Sequence, residues 1–582
     1  MAYSSELGST DSALCPSCTF KTENICVSDI DLQIQMQERR LIPLKIYRNS
    51  LAPISRLAPE ILCRVFDHLR KIPNLLPFER DPLQWIQATH VCHAWRETAL
   101  NCPSLWTKLP FEFSDMWTQE MLRRSKSASI YVDLDYTANR PGKPPKLDTA
   151  LAALGQAMRI YSLFIINAHL NTFETLVKAL PRSAPELKTL LLLANSQPLN
   201  VRYRLPDEVL NEMNQLRFLE VVGCAISWDN HLLNLRSLTG LRIENILPVA
   251  RPTADQFFSV LSRLAPTLEH LYLGHTFPSS LESTPPNNLG RIMLPRLQEI
   301  RLQAFSSLEL ERFLDAVSFP SSALVYIFCR DSTGGNIPRA FYNAIQPSLS
   351  REDAVVLRDL DITSTPDDDI KVTVKLFAVE RSSPGYAYTP PRYTLTFAAK
   401  WIPDPSHSDK TIVDNFMVNS ILALPLSNVT CMTMQWETEY VFPSFEQTVS
   451  DILSPVSRLF FEYVIQHIFA ALKEPELSGR NFSDAQYTGI LMPNLRHLTI
   501  RGLYLGIAGQ DELLDWLFHF FIWRKKHGAG VSSFDAIDCS EIPPRQLSII
   551  QGLGIAVKRV GQLQEYEDSS EEEEDEDDED EQ

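Results

Sequence analysis

Apolar and polar positions along the chain follow two different rhythms. Between Pro53 and Leu69, in PISRLAPEILCRVFDHL, the apolar residues Ile61, Leu62, Val65, Phe66 and Leu69 recur at steps of one, three, one and three, the spacing of one face of an α-helix. Pro59 suits the first helical turn, where a missing N–H costs no hydrogen bond, and Glu60 beside it favours the positive end of the helix dipole. The helix is expected to start there and to end before Pro73 and Pro77. A second block, QWIQATHVCHAWRETALNCPSLW, sets Val91, Trp95 and Ala99 at i+4 spacing and stops at Asn101 and Pro103. A small all-helical module over 51–108 is predicted.

From about residue 150 a second rhythm takes over, in which a helical segment is followed by L-x-x-L-x-L. TFETLVKAL gathers Phe173, Leu176, Val177 and Leu180 on one face, and LKTLLLLAN places Leu187, Leu190 and Leu192 in the strand pattern. TADQFFSVLSRL with LEHLYL repeats the unit at Leu268, Leu271 and Leu273, and SLELERFLDAV with ALVYIF repeats it again. Further strand-like copies begin at Ile160, Leu216, Leu238, Leu297, Leu357 and Leu495, and from 160 to 324 the copies start 22 to 30 residues apart. That period and consensus match a leucine-rich repeat, whose strand-plus-helix unit must stack on neighbours to bury its apolar face. The expected fold class is therefore α/β, a small helical module followed by a leucine-rich-repeat-like solenoid over 150–560.

Period-two alternation turns the residues between the consensus leucines outward, onto the concave strand face. Phe218, Glu220, Arg242, Glu244, His270, Tyr272, Glu299 and Arg301 become the candidate target-binding residues. Beyond 365 the repeat loosens: DDDIKVTVKLFAVE and RYTLTFAAKW alternate like two strands around the turn-rich SSPGYAYTPP, which predicts an inserted hairpin near 365–405. LLDWLFHFFIWRKK reads as a helix closing the solenoid. Residues 1–50 read as a leader, of which DLQIQMQERRLIPLKIYRNSL is one helix or a helix broken at Pro43.

Composition changes this picture in three places. The formal charge is −18, but 14 acidic residues lie from Glu565 onward, which leaves only −4 for everything before them. The end, EYEDSSEEEEDEDDEDEQ, has no apolar face to bury and repels itself, so 565–582 is expected to be disordered. Ser569 and Ser570 are each followed three residues later by glutamate, Glu572 and Glu573, which resembles the acidic preference of casein-kinase-type enzymes and marks both as candidate phosphorylation sites. No basic stripe offers itself to a phosphate backbone, so protein partners are favoured over nucleic acid.

Ten cysteines without regular spacing argue against a disulfide framework and for a reducing compartment, cytoplasm or nucleus, where the sequons at Asn428 and Asn481 are chance matches. No apolar run is long enough to span a membrane, and no signal peptide is read. Cys15, Cys18 and Cys26 are three thiols without an obvious fourth ligand, and His90, Cys92 and His93 read as helix residues, so neither metal nor cofactor is expected. The motifs G-x-x-x-x-G-K-[ST], G-x-S-x-G, G-x-G-x-x-G and H-E-x-x-H are absent, and no catalytic residue is assigned.

The two helical blocks, with Pro-Ile, Leu-x-Pro-Glu-Ile-Leu, Val-Phe and Trp-Arg in order, strongly resemble the F-box from Pro53 to about Trp106. Ala58 is a small departure from that pattern. With the repeats behind it, the arrangement looks like the large fungal group of F-box proteins with leucine-rich-type repeats, although the asparagine expected after the strand occurs only at Asn195, with Cys224 in the equivalent place of another copy. The resemblance implies docking of a Skp-type adaptor and, through it, a cullin. Carried over position by position, the adaptor-binding residues are Pro53, Ile54, Leu57, Pro59, Glu60, Ile61, Leu62, Val65, Phe66 and Leu69. It also implies a substrate-recognition subunit of a ubiquitin ligase that captures an unidentified protein and is not itself an enzyme. The alternative is a scaffolding repeat protein that uses the module for adaptor binding alone.

Overall fold

The computed structural model describes residues 27–71, 83–137, 143–194, 203–278, 290–330, 336–349, 354–366, 369–379, 391–400, 416, 418–436, 454–462, 492–502, 510–539, 542 and 544–560. Cys15, Cys18, Cys26, Asn195, Asn481, the turn SSPGYAYTP and the acidic tail with Ser569 and Ser570 lie outside them. The chain is mixed α/β and divides into two compact units, Met1–Ile130 and Tyr131–Gln582.

The first unit is helical. Helix α1, Val27–Ser50, runs unbroken through Pro43, and a 3₁₀ turn, Pro53–Arg56, leads into α2, Pro59–Lys71. A second 3₁₀ segment, Gln84–His90, precedes α3, His93–Leu100. The expected continuous block from Val91 to Ala99 is interrupted, because Cys92 takes an extended backbone (φ −160°, ψ 168°) and caps α3; Ala99 is buried and Val91 is left exposed. Helix α4, Asp115–Arg124, is capped by Ser114, whose hydroxyl accepts from the Trp117 N–H.

Tryptophans build the core of this unit. Trp106 is buried, its indole N–H donates to the Ala99 carbonyl at 2.8 Å, Trp85 meets it edge-on at 5.1 Å, and the Arg124 guanidinium lies 4.4 Å from its ring centroid. Phe66 packs against Trp95 with centroids 5.4 Å apart.

The second unit is dominated by one sheet of sixteen strands. Its first eight, Ile130–Asp135, Ile160–Ile166, Thr189–Leu193, Phe218–Val222, Gly240–Glu244, His270–Gly274, Glu299–Ala304 and Leu324–Arg330, lie side by side in chain order, parallel from Ile160 onward. The leucine that opens each sequence pattern, Leu187, Leu216, Leu238, Leu268 and Leu297, is buried two residues before its strand. Just there the backbone repeats one motif: the N–H groups of Arg217 and Phe218 share the Lys188 carbonyl, those of Thr239 and Gly240 share Arg217, and those of Glu269 and His270 share Thr239. Helix Ala254–Leu264 carries a full capping box of Thr253 and Gln256 and buries Phe257, Phe258, Val260, Leu261 and Leu264.

After Leu324–Arg330 the order reverses once. The chain skips two places to Asp359–Pro366, doubles back antiparallel through Asp369–Phe377, and returns as Tyr393–Lys400 beside Leu324–Arg330. Parallel addition then resumes from Asp359–Pro366 through Cys431–Trp436, Arg458–Glu462, His497–Arg501, Ser533–Ile537 and Ala556–Val560. The helix read as closing, Gln510–Lys526, is followed by two of these strands, so it is an internal crossover. Arg524 near its end is fully buried and donates to the carbonyls of Ala529 and Met492.

Candidate functional site

Two surfaces carry the residues singled out by the sequence, one on each unit. On the first unit, α2 presents apolar side chains over a wide arc, since successive residues turn by about 100° and Ile61, Val65 and Leu69 lie along one flank while Leu62 and Phe66 lie along the other. The two flanks have different fates. Leu62 and Phe66 are 5% and 0% exposed and belong to the core, whereas Ile61 and Val65 are 42% and 38% exposed, with Leu69 like them. Ile54 and Leu57, on the turn that enters α2, are exposed as well, beside exposed Pro53, Pro59 and Glu60. Of the ten residues assigned to docking, eight are therefore at the surface; Leu62 and Phe66 are not available to a partner because they fill their own unit.

The second surface lies on the large sheet of the other unit. Its register brings all eight candidate residues together in three rows. Glu220, Arg242, Tyr272 and Arg301 are consecutive partners across four strands; Phe218, Gly240, His270 and Glu299 form the row on one side of them. Glu244 lies in the third row, between Val222 and Gly274. Tyr326, the residue facing outward in ALVYIF, extends the first row by one strand. It was not singled out from the sequence, although the same alternation between buried Val325 and Ile327 marks it.

Charges on this face are already paired. Arg242 bonds Glu244 at 3.1 Å and approaches Glu220 at 3.5 Å; burial opposes its charge, but the two carboxylates outweigh that and raise its pKa. Arg301 bonds Glu299 at 2.7 Å while its guanidinium lies between two rings, 5.1 Å from Tyr272 and 4.8 Å from Tyr326. The Tyr272 hydroxyl donates to Glu299 at 2.8 Å, and burial together with that bond pushes its pKa up to about 12. Phe218 stands over Gly240, where an added Cβ would lie 2.4 Å from its ring, and its centroid is 6.0 Å from that of His270. Chemically the arrangement offers ring faces, oriented carboxylates and fixed guanidinium groups.

Among the described residues no group of three or more His, Cys, Asp and Glu side chains is placed to hold a metal ion, and no helix is long and apolar enough to cross a membrane. Cys224 is buried in a two-residue strand, Cys224–Ala225, that pairs with Tyr203–Arg204, and burial pushes its thiol up to about 12. Compared with known proteins, the chain matches no family model and no curated protein.

Proposed function

We propose that the chain is the substrate-recognition subunit of a Skp-cullin-F-box type ubiquitin ligase. In this reading the first unit is an F-box that docks the Skp-type adaptor, and the sheet of the second unit, read as leucine-rich-type repeats, holds the target protein. Ubiquitin transfer is performed by other subunits.

The observation that carries the proposal is the divided apolar arc of α2. A helix that only stabilised its own unit would leave its second flank polar, as a surface helix normally does. Here Ile54, Leu57, Ile61, Val65 and Leu69 form an uncovered apolar strip of the kind a groove in a partner would cover. Pro53 and Pro59 fix the entry to that strip, which lowers the ordering cost of binding. The motif order read from the sequence then points to the Skp-type adaptor as the partner.

The test uses the full chain and purified Skp-type adaptor. Ile61→Asp and Val65→Asp place a carboxylate on the exposed flank without touching the core, and each should weaken binding roughly 30-fold or more, the loss of about 2 kcal/mol expected of a central interface residue. Unchanged binding by both folded variants would end the proposal. Copurification of cullin with the wild-type complex separates a ligase from the scaffolding alternative, which predicts adaptor without cullin.

A further inference from the structure

We propose that α1 is a self-pairing helix through which two copies of this chain associate antiparallel. The starting observation is a contradiction between length and burial. Helix α1 is 24 residues, about 36 Å, yet its large apolar side chains are exposed, from Ile30 at 40% to Val27 at 73%. Helices in proteins draw most of their stability from packing an apolar face, and among the described residues this one packs none.

The spacing of those residues says what kind of partner fits. Val27, Ile30, Ile34, Gln37, Leu41, Leu44 and Arg48 succeed one another at steps of three and four, the two seam positions of three heptads. All seven are exposed. The same spacing on the opposite side, Leu32, Met36, Arg39, Pro43 and Ile46, carries a charge and a proline in its middle, whereas the first stripe is polar only at Gln37 and, at its end, Arg48. Such a seam is filled by another helix with the same repeat, and the chain's own second copy supplies one.

Charge sets the direction. Asp31, Glu38 and Lys45 flank the seam at one heptad position, and Arg40 flanks it on the other side. Parallel pairing would set Arg40 of each copy against Lys45 of the other, two repulsions. Antiparallel pairing about an axis at Glu38 sets Asp31 of each copy opposite Lys45 of the other, two attractions that offset the like-charge pairs near the axis, Glu38 with Glu38 on one flank and Arg40 with Arg40 on the other, whereas the parallel repulsions are offset by nothing. The helix is acidic early and basic late, and only the antiparallel arrangement uses that polarity.

Sedimentation velocity and light scattering of the full chain at micromolar concentration test this without any adaptor, so the outcome is independent of the ligase reading. The wild type should run at twice the 66.2 kDa of one chain. Ile34→Asp with Leu41→Asp should give monomer with the circular dichroism of a folded protein, since neither side chain is in the core. Lys45→Glu should weaken the dimer about tenfold, and adding Asp31→Lys should restore it. A monomeric wild type, a dimer indifferent to the double aspartate variant, a tighter dimer with Lys45→Glu, or failure of Asp31→Lys to rescue would each overturn the proposal.

Discussion

Replacing Phe66 by alanine should loosen the first unit from within, whereas replacing its neighbour Val65 should not. Phe66 is fully buried and its ring lies 5.4 Å from that of Trp95, so truncation removes both the transfer energy of the ring and an aromatic contact, about 3 to 5 kcal/mol together. At about 0.05 to 0.15 kcal/mol per residue, the helical module over 51–108 has about 3 to 9 kcal/mol of stability in total. The loss is therefore a large share of the whole. Val65, one residue earlier and 38% exposed, should cost less than about 1 kcal/mol when changed to alanine.

Hydrogen exchange of the intact chain reads this locally. Amides of α2 and α3 that open with the unit should exchange on the order of 100-fold faster in Phe66→Ala, the equivalent of about 3 kcal/mol, while Val65→Ala stays within about fivefold of wild type. The sheet of the second unit serves as the internal control. Equal effects from the two substitutions, or protection of α3 unchanged by Phe66→Ala, would refute the division of the apolar arc on which the docking argument depends.

Three further outcomes are expected. Gly240→Ala should cost about 1 to 3 kcal/mol because its Cβ would meet the Phe218 ring, and Phe218→Ala should recover most of that loss, so additive behaviour in the double-mutant cycle would show that the ring is not over Gly240. Arg524→Met keeps volume but strands the carbonyls of Ala529 and Met492, about 2 to 5 kcal/mol by urea denaturation; a loss under about 0.5 kcal/mol would mean that water replaces the guanidinium. In alkaline titration followed by phenolate absorbance, Tyr272 and Tyr136 should ionise near pH 12, because burial raises both above the ordinary value of about 10. Their stabilising contribution is complete below pH 10 and is lost as pH rises from there through 12; Tyr272→Phe should delete one late-titrating group, and an unchanged late phase would contradict its bond to Glu299.

Much of the second unit was legible because burial on a parallel sheet demands apolar residues at fixed intervals. Leu187, Leu190 and Leu192, or Leu268, Leu271 and Leu273, are buried as their spacing requires, and the outward residues between them followed by alternation alone. The antiparallel strands Asp369–Phe377 and Tyr393–Lys400 were readable on the same ground. Their place in the sheet was not: local alternation says which face a side chain takes and nothing about which strand lies beside it, so the reversal between Leu324–Arg330 and Asp359–Pro366 left no trace in the pattern. In the first unit the limit is different. Ile61, Leu62, Val65, Phe66 and Leu69 are all apolar and share one arc, and periodicity cannot tell a core flank from an uncovered one. The break at Cys92 was hidden because i+4 spacing from Val91 to Ala99 looks the same whether or not the backbone is helical throughout.

The row Glu220, Arg242, Tyr272, Arg301 and Tyr326 shows how such a sheet fixes its outward side chains, which is what the proposed role in target capture would need. Neighbouring strands stand about 4.8 Å apart, so the parallel register forces these five side chains into contact whatever they are, and like charges directly opposite would destabilise the pair. In this row no two like charges are adjacent: Arg242 stands between a carboxylate and a ring, and Arg301 between two rings. Each guanidinium is thereby held in one orientation before any partner arrives, and the rotamer entropy that a free arginine would lose on binding has been surrendered during folding. Because the core is carried by the alternate residues Val221, Ile243, Leu273, Leu302 and Ile327, the outward row can change its chemistry without changing the strands that position it.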